Sequence, residues 1–456
     1  MRVVSARLLS VVCAFVVACS VVPAGAEEFD LRGSRRKGDV ARVELLLELA
    51  GDLKVVHEEK VKPVPLKVVG SANYREMLLE VPATAAGDAR SVRSYEKLAA
   101  QIKIDDQRQD GELREECRTI GVEFANQETV YWNPASPLSR EELDLLDIQG
   151  SSLLVDGLLP EVAVSLESTW QHEDLLIAAL LGLDAVSAND VTSILKEVTP
   201  EAAKMELAGT VQGAVGGVST EIEVKAKYKF DRASRRIVWF AMLLKEVRSI
   251  GHVGPGIDTV ARLQMKVIPE GEADADLLAA AEEVRQSSPS DALTLGYRST
   301  NGKFQFLYDR KWHVVNDEPE LVVLRRVDRG ELVAQGNVTP LAPAPADKPV
   351  TLAKFQEDIQ KALGANFRQF AKAAEQSVSG RTIYRVVAVG EAAELPVEWH
   401  YYLVTDERGR QLSLVFTLEQ PLAEKLGDAD EQLAASVEFV DPVAESAEAP
   451  TNFDRQ

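Results

Sequence analysis

The stretch from Asp39 to Val56, in which apolar and polar residues nearly alternate, constrains the fold more than any other feature of the chain. Successive side chains of a strand point to opposite faces, so a period of two indicates a long β-strand with one buried face. Similar runs lie at 98–104, 119–124, 203–210, 219–231 and 237–247. The last three predict an antiparallel meander, because segments suited to tight turns separate them.

Helices are fewer in this half of the sequence. Ser139 and Glu142 have the spacing of a capping box, in which each side chain bonds a free backbone amide at the start of a helix. Residues 172–181 and 189–198 predict two more helices, the second ended by Thr199-Pro200. We therefore expect residues 27–268 to form an antiparallel, β-rich α+β domain.

A change in composition divides the chain. Residues 269–291 are rich in Glu, Asp, Ala and Ser and predict an acidic linker, with a helical stretch at 277–284. Residues 292–442 predict a second domain of short strands, a helix or broken helical pair over 351–374, three strong strands and a last helix near 421–436. Residues 443–456 are expected to be a disordered tail.

The first 26 residues have the features of a secretory signal peptide. Arg2 and Arg7 precede the apolar run 8–17, and Ala24-Gly25-Ala26 offers the small residues of a cleavage site. The segment ending at Cys19 loosely matches a lipoprotein box, so an alternative is a lipid anchor on that cysteine. We expect an exported protein, periplasmic or extracellular, in which Cys117 is the one remaining cysteine and no intramolecular disulfide forms.

The charge of the chain narrows the class of partner. With 51 Lys+Arg against 72 Asp+Glu, the net charge is -21, which disfavours binding to a phosphate backbone, and we expect no nucleic-acid partner. The hydrophobic fraction of 46% is enough for sizeable cores. The sequence after the signal peptide contains no apolar run long enough to cross a bilayer as a helix.

Common catalytic motifs are incomplete. No G-x-S-x-G is present, and the S-x-x-K matches that begin at Ser94 and Ser193 lack the S-D-N and K-T-G partners. The histidines have no H-E-x-x-H spacing, and the glycines at 251, 254 and 256 match neither a dinucleotide nor a phosphate loop. We therefore expect no enzymatic activity, no metal site and no cofactor.

The densest set of candidate binding residues lies on one predicted strand. Glu398, His400 and Tyr402 alternate with Trp399 and its neighbours, so a strand would place the acid, the imidazole and the phenol on one face. A groove there, with Trp312 nearby in the sheet, is the predicted site for a partner. The alternative is an ordinary polar ladder between strands.

The second half resembles the PsbP-like superfamily, which also includes a Ran-binding import factor. The run "GYRSTNGKFQFLYDRKWHVV" resembles its opening hairpin, and the strands "TIYRVVAVG", "VEWHYYLV" and "RQLSLVFT" continue the pattern. The resemblance covers about a third of the chain. It implies an α/β/α sandwich and a non-enzymatic binding or assembly role.

The first half resembles a family of secreted bacterial proteins of unknown function. The segments that carry this resemblance are "SPLSREELDLL", "LLVDGLLP", "LLIAALLGLDAV" after Trp170, "GTVQGAVGGVSTEIEVKAKYKFD" and "GHVGPGID". The resemblance implies an antiparallel sheet with helices on one side, curved like an envelope lipid carrier, and implies no activity.

Two functions remain open from the sequence. The first is a non-enzymatic binding or scaffold protein of the bacterial cell envelope. The second is a carrier of a lipid or other apolar ligand in the first domain, with the leucine-rich segments 153–159 and 175–183 lining a cavity. The alternative is that these leucines fill an ordinary hydrophobic core.

Overall fold

The computed structural model describes residues 27–58, 60–82, 87–125, 128–287, 293–344 and 350–441. The predicted signal peptide, with Cys19, and the predicted tail at 443–456 lie outside these residues. Of the described residues, 58% are in strands and 16% in helices. The protein is therefore mostly β, and the predicted α+β class with an α/β/α sandwich over 292–442 is wrong.

Fifteen strands belong to the described part of the first half. In chain order they are β1 (Glu28–Phe29), β2 (Val40–His57), β3 (Lys60–Glu80), β4 (Ala89–Ile104), β5 (Gln107–Glu112), β6 (Thr119–Ala125), β7 (Glu128–Trp132), β8 (Val164–Ser165), β9 (Thr169–Gln171), β10 (Ala185–Asn189), β11 (Thr192–Val198), β12 (Ala202–Val215), β13 (Val218–Asp231), β14 (Arg236–Arg248) and β15 (Gly256–Pro269).

Thirteen of these strands form one antiparallel sheet in the order β7-β6-β4-β3-β2-β15-β14-β13-β12-β11-β9. At its margins β5 pairs with β4, and β10 pairs with β12, while β1 and β8 pair separately. The predicted meander is confirmed as β12, β13 and β14, since Val224 pairs with Gly209 on one side and with Leu244 on the other. Alternating burial along β13 gives the sheet one covered and one solvent-facing side.

Two short helices in the first half are α1 (Arg140–Leu146) and α2 (Asp174–Leu181). The capping box is confirmed: the Ser139 hydroxyl accepts from the amide of Glu142, whose carboxylate accepts from the amide of Ser139. The helix predicted over 189–198 is wrong, because Thr192–Val198 is strand β11. Its β-branched residues favour a strand, and Ser193 and Leu195 alternate inward with a period of two.

The acidic stretch at 269–291 contains helix α3 (Ala275–Gln286), which lies against the first sheet. The helix buries Leu277 and Val284 in a small core with Trp132. Before it, Glu270 accepts hydrogen bonds from Arg42 and Arg75 of the sheet, at 3.1 and 2.9 Å. The described part of the expected linker is thus packed structure, and the position of a domain boundary stays a prediction.

The second half contains two further antiparallel sheets. Its strands are β16 (Thr294–Arg298), β17 (Phe304–Asp309), β18 (Trp312–Glu318), β19 (Leu321–Asp328), β20 (Glu331–Leu341), β21 (Phe367–Val378), β22 (Arg381–Ala392), β23 (Leu395–Asp406), β24 (Gln411–Glu419) and β25 (Glu438–Phe439). The seven-stranded sheet runs β18-β19-β20-β24-β23-β22-β21, and the small sheet runs β16-β17-β25.

Three helices accompany these sheets: α4 (Leu352–Leu363), α5 (Ala423–Leu426) and α6 (Ala429–Ser436). Ile359 of α4 packs on Val386 and Ala388, whereas α6 contacts β17 and β23. One or two short helices per sheet make too little helix for the layers of an α/β/α sandwich. The helix predicted to continue towards residue 374 is wrong, because Phe367–Val378 is the edge strand β21.

The two halves share one hydrophobic core, which includes Tyr228 of the first sheet and Phe416 of the second. Backbone contacts also join them: the amide of Gly296 donates to the carbonyl of Leu138 at 2.9 Å. Gly217 has a positive φ of 72°, and a Cβ there would lie 2.2 Å from the Cα of Gly330. Among the described helices, none is long and apolar enough to span a membrane.

Candidate binding site

Three of the predicted site residues meet on one face of β23, opposite α6. The Nδ1 atom of His400 lies 2.6 Å from Oδ2 of Asp430, and its Nε2 atom lies 3.2 Å from Oε2 of Glu398. The hydroxyl of Tyr402 donates to the same Oδ2 atom at 2.7 Å. The period-two pattern therefore places Glu398, His400 and Tyr402 together, and α6 adds Asp430, which lies 30 residues further along the chain.

Asp430 is the centre of this network and has no exposed surface. Its burial alone would raise the pKa of the carboxyl, but the hydrogen bonds from His400 and Tyr402, together with nearby Arg385, hold that pKa below its ordinary value. Nη2 of Arg385 lies 4.0 Å from the carboxylate. An ionised carboxylate thus holds α6 against the second sheet.

Four of the five predicted binding residues are buried, and the fifth, Glu398, is half-buried. His400 is 6% exposed, and Tyr402 and Trp312 both contact the buried ring of Phe416, with centroids 5.9 and 5.3 Å away. Trp399 is also buried. The groove expected between these side chains is filled by α6 and by the core. A role of Trp312, Glu398, Trp399, His400 and Tyr402 in partner binding stays a prediction.

Ser193, from one S-x-x-K match, lies next to a histidine that the sequence did not connect with it. Its Oγ atom lies 2.7 Å from Nε2 of His172 and accepts a hydrogen bond from Tyr228. Burial lowers the pKa of His172 to about 4. Lys196 lies on the opposite side of the strand and pairs with Glu167 at 2.9 Å. Ser193 is fully buried, so the arrangement has the geometry of a structural hydrogen-bond network.

Cys117, the one cysteine of the described residues, is buried without exposed surface. Burial raises the pKa of its thiol to about 11. A reactive cysteine needs a thiolate and solvent access, so this residue has the properties of a passive core side chain.

The leucine-rich segments proposed to line a cavity belong to the core instead. Leu153, Leu158, Leu176 and Leu180 are each at most 1% exposed and join the common core of the two halves. Of the two alternatives that the sequence left open for segments 153–159 and 175–183, the ordinary core is the one observed at these four leucines.

A different apolar surface lies on the first sheet, on the side that carries the core. Cross-strand register aligns Leu49 of β2 with Ala261, Val68 and, one strand further, Ile102. The adjoining rows add more aliphatic side chains, all partly buried, of which Leu47 and Leu49 also pack against the core. We call this surface the open aliphatic face; its members are Leu47, Leu49, Leu53, Val64, Leu66, Val68, Ile102 and Ile257.

The boundary between the covered and open parts of this side is sharp. Leu145 of α1 lies 3.5 Å from a Cβ built on Gly111, so α1 covers the sheet there. A Cβ built on Gly70 meets only its sheet neighbours, the Cβ atoms of Leu47 and Ala100 at 3.8 and 3.9 Å. Gly70 is itself buried among these neighbours, and no atom of α1 is among the three that lie nearest to that Cβ.

At this boundary α1 closes a small cavity over the row that contains Leu45, Ala72 and Leu98. The cavity volume is about 10 Å³, which suits a single water molecule. Tyr74 and Arg93 line its polar side. The cavity marks the deep end of the open aliphatic face and is too small for a ligand of its own.

A buried ion pair fixes the polar side of that cavity. Nε of Arg93 donates to Glu76 at 2.8 Å, and its Nη2 atom donates to Ser151 at 2.8 Å. Ser152 donates to the second oxygen of Glu76 at 2.8 Å. Burial would raise the pKa of Glu76, but Arg93 and Arg35 outweigh it and lower that pKa. These satisfied groups form a rigid end to the aliphatic face.

The unusual length of strands β2 and β3 is the feature of the sequence that indicates this face. The alternation begins at Val40 and runs through the 18 residues of β2, and β3 spans 21 residues. Typical strands have five or six residues, so strands this long extend beyond any cover that short helices provide. On the other side of the same strands the residues are mostly charged, as in the pairs Glu48 with Arg262 and Glu44 with Lys266.

Comparisons with known proteins add little to this picture. No protein-family profile matches the chain, and no curated protein is similar in sequence. Among solved structures, PsbP from the cyanobacterium Synechocystis sp. PCC 6803 overlaps 33% of this chain and 94% of its own, at 18% identity and a TM-score of 0.26. Lipovitellin, from a structure titled for its lipid–protein interactions, overlaps 53% of this chain at 8% identity and a TM-score of 0.29.

A Bacteroides thetaiotaomicron protein overlaps 32% of the chain at 11% identity and a TM-score of 0.24. The chain spans about half of that protein, 48%, and about a quarter of lipovitellin, 26%. TM-scores this low do not establish a common fold. The overlap of the second half with PsbP is weak, and it does not show that the two proteins share a fold.

Proposed function

We propose that this protein is a binding protein without catalytic chemistry of its own, and that it holds an apolar ligand of the acyl-chain class on the open aliphatic face. The observation that carries the proposal is the alignment of half-buried aliphatic side chains across β15, β2, β3 and β4. Contiguous apolar surface of this kind marks binding sites in monomeric proteins.

The size of the face suits one lipid chain. Four strands about 4.8 Å apart give a width of roughly 14 Å, and the six-residue rise from Leu47 to Leu53 gives a length of about 20 Å. One leaflet of a bilayer core is about 15 Å thick, so an acyl chain can lie along the face. Covering such an area removes apolar surface from water, which stabilises the complex at about 25 cal/mol per Å².

This proposal selects between the two functions that the sequence left open. A scaffold that uses Trp399 and His400 needs exposed surface at those residues, and both are buried. A carrier needs an accessible apolar surface, which the first sheet provides. The resemblance of the second half to PsbP-like proteins, whose members mostly bind or assemble, supports a binding role. The predicted signal peptide supports action outside the cytoplasm, in the periplasm or beyond, either free or anchored through Cys19.

Neighbouring residues on opposite faces of one strand provide the test. Titration with a pyrene-labelled fatty acid should show binding to the unmodified protein. Leu49→Asp and Val68→Asp place a carboxylate against the ligand, and we expect each to weaken binding at least about tenfold. Leu46→Asp and Val69→Asp make the same change on the charged side, where Leu46 is 43% and Val69 is 38% exposed. The affinity of each of these controls for the fatty acid should stay within about twofold of that of the unmodified protein.

Circular dichroism and thermal unfolding of each variant separate loss of binding from loss of folding. If the aspartate variants do not fold, Leu49→Ser against Leu46→Ser gives the same comparison without a charge. No binding by the unmodified protein, or equal loss on the two faces, would rule out the proposed function.

A further inference from the structure

The solvent-facing side of the first sheet, opposite the open aliphatic face, has an apolar centre. Trp239, Ala241 and Leu243 of β14 lie on this side, since the residues between them point into the core. Trp239 and Ala241 are partly exposed, and Leu243 is 38% exposed. Leu46, two strands away in the row of Ala241, is 43% exposed. Exposed apolar side chains grouped in this way mark an interaction surface.

Positively charged side chains lie on both sides of this centre. The outward residues of β13 and β15 that pair with it are Gln264 and five exposed cations: Lys225, Lys227, Lys229, Arg262 and Lys266. The nine outward positions of the three strands therefore contain no carboxylate. We call the outward side chains of residues 225–229, 239–243 and 262–266 the outer patch.

The strands next to the outer patch only partly cancel its charge. In the same three rows, β12 and β2 contribute one cation and three carboxylates: Lys204, Glu206, Glu44 and Glu48. The five strands together present six cations and three carboxylates, a net charge of +3, within a chain whose net charge is -21. The outward charges of the rows at either end cancel, because Lys245 balances Glu223 and Arg42 balances Asp231.

The cations of the outer patch are available to a partner. Lys225, Lys227 and Lys266 pair with carboxylates at 2.7, 2.8 and 3.2 Å, but their side chains are 63%, 70% and 62% exposed. Ion pairs this exposed contribute little to stability, so a partner's carboxylate can replace them at small cost. Among the described residues, no carboxylate lies within ion-pair distance of Lys229 or Arg262.

The shape and extent of this surface favour a protein as the partner. The outer patch lies on an open sheet, whereas small ligands bind in concave sites. Together with β12 and β2 it measures about 19 Å across the strands and about 14 Å along them. A nucleic acid or an anionic membrane would extend past this area and meet the acidic remainder of the protein.

The composition of the outer patch supports the same choice. The centres of protein interfaces are enriched in tryptophan and arginine, and charged residues concentrate at their rims. Trp239 and Arg262 lie within the patch, and lysines surround the apolar centre. The complementary surface has an apolar side chain with carboxylates around it.

We propose that the outer patch docks an acidic partner protein, whose carboxylates pair with Lys229 and Arg262 while an apolar side chain of the partner covers Trp239 and Leu243. The acidic surface around the patch repels such a partner elsewhere, which fixes where it docks. The outer patch and the open aliphatic face lie on opposite sides of the sheet, so this inference does not depend on the proposed function.

Fluorescence anisotropy of labelled synthetic peptides with the full chain tests the docking. The acidic peptide EELFEELFEE should bind, and it should bind at least about tenfold more weakly at high salt. The peptide EESGEESGEE has the same charge without large apolar side chains and should also bind at least about tenfold more weakly. Hexauridylate, a nucleic acid, should bind no better than this second peptide.

A pair of double variants tests the charges. Arg262→Glu with Lys229→Glu should weaken binding of EELFEELFEE at least about tenfold. Lys361→Glu with Lys372→Glu is the matched control, at exposed positions of the second half, and should stay within about twofold. The reversed peptide KKLFKKLFKK should bind the first double variant at least about tenfold more tightly than the second, although both have the same net charge.

The apolar contact has its own comparison. Leu243→Ser should weaken binding of EELFEELFEE about fivefold, because the partner no longer covers a leucine side chain. Leu307→Ser makes the same change at a strand position of the second half that is 40% exposed, and its affinity should stay within about twofold. Circular dichroism of each variant separates loss of binding from loss of folding.

Four results would overturn the docking inference. They are no binding of EELFEELFEE by the unmodified protein, equal losses in the patch and control variants, binding of hexauridylate as tight as that of the peptide, and a dimer in sedimentation that Arg262→Glu with Lys229→Glu abolishes. The last result would assign the outer patch to a second copy of the chain. The patch variants should bind the pyrene-labelled fatty acid as the unmodified protein does, so either proposal can fail while the other stands.

Discussion

His172 lies buried against the hydroxyl of Ser193, which also accepts a hydrogen bond from Tyr228. Because burial disfavours the charged imidazole, the pKa of His172 falls from 6.5 to about 4. The unfolded chain therefore binds a proton between these two pH values that the folded chain does not bind. Stability contributed by this residue is present above about pH 6.5 and is lost as the pH falls towards 4.

His172→Gln tests this linkage. The glutamine side chain can still bond Ser193 but does not titrate. In the unmodified protein, the titration of this residue should lower the free energy of unfolding by about 2 kcal/mol between pH 7 and pH 5, as measured by urea unfolding. The variant should lack that part of the difference, although it is itself less stable at pH 7. An unchanged difference between the two pH values would show that His172 is protonated in the folded state.

Helix α3 connects the acidic stretch of the sequence with the first sheet. Its N-terminus is capped by Asp274, whose Oδ1 atom accepts from the amide of Leu277 at 3.0 Å. Leu277 is 1% exposed in the small core beside Met77, whereas its neighbour Leu278 is 52% exposed. The helix therefore buries one face against the sheet, as a structural element rather than a spacer.

Leu277→Ala should destabilise the protein by about 2–5 kcal/mol, because it leaves a cavity in that small core. Leu278→Ala removes the same atoms from the solvent side of the same helix and should change stability by less than about 0.5 kcal/mol. Urea unfolding of the two variants makes the comparison. Equal effects would mean that α3 does not pack on the sheet, as expected for a linker.

Elements with strong periodicity were predictable from the sequence, and those decided by tertiary packing were not. The alternation along β2 and the capping box at Ser139 predict the observed strand and helix. Over 367–378 the apolar positions fit a helix, yet pairing with β22 at the edge of the sheet makes the segment a strand. The resulting error in fold class follows from such segments, since local pattern does not reveal an available sheet edge.

The candidate site shows the same limit. The period-two pattern correctly places Glu398, His400 and Tyr402 together. It does not reveal that Asp430, distant in sequence, packs over them and closes the expected groove. Conversely, the long strands β2 and β3 predict apolar residues on one face but not where their cover ends, because that depends on where α1 lies.

At the scale of the whole molecule, one core joins both halves. The open aliphatic face lies towards the end of the first sheet where β2 leads into β3. Two contacts join the second half to the neighbouring end of strands β12 to β15. The backbone of Gly330 lies against that of Gly217, and Arg325 donates a hydrogen bond to the carbonyl of His252. The second half therefore supports the sheet that carries the open aliphatic face. We infer that it contributes rigidity, while the long strands of the first half contact the ligand.

Native mass spectrometry of the protein purified from its own envelope fraction tests the central claim most directly. If the open aliphatic face holds an acyl-chain ligand, the unmodified protein should carry a heterogeneous mass increment of lipid size. Leu49→Asp should lose this increment, and Leu46→Asp on the opposite side of β2 should retain it. A bare mass for the unmodified protein, or one stoichiometric protein partner in place of lipid, would contradict the claim.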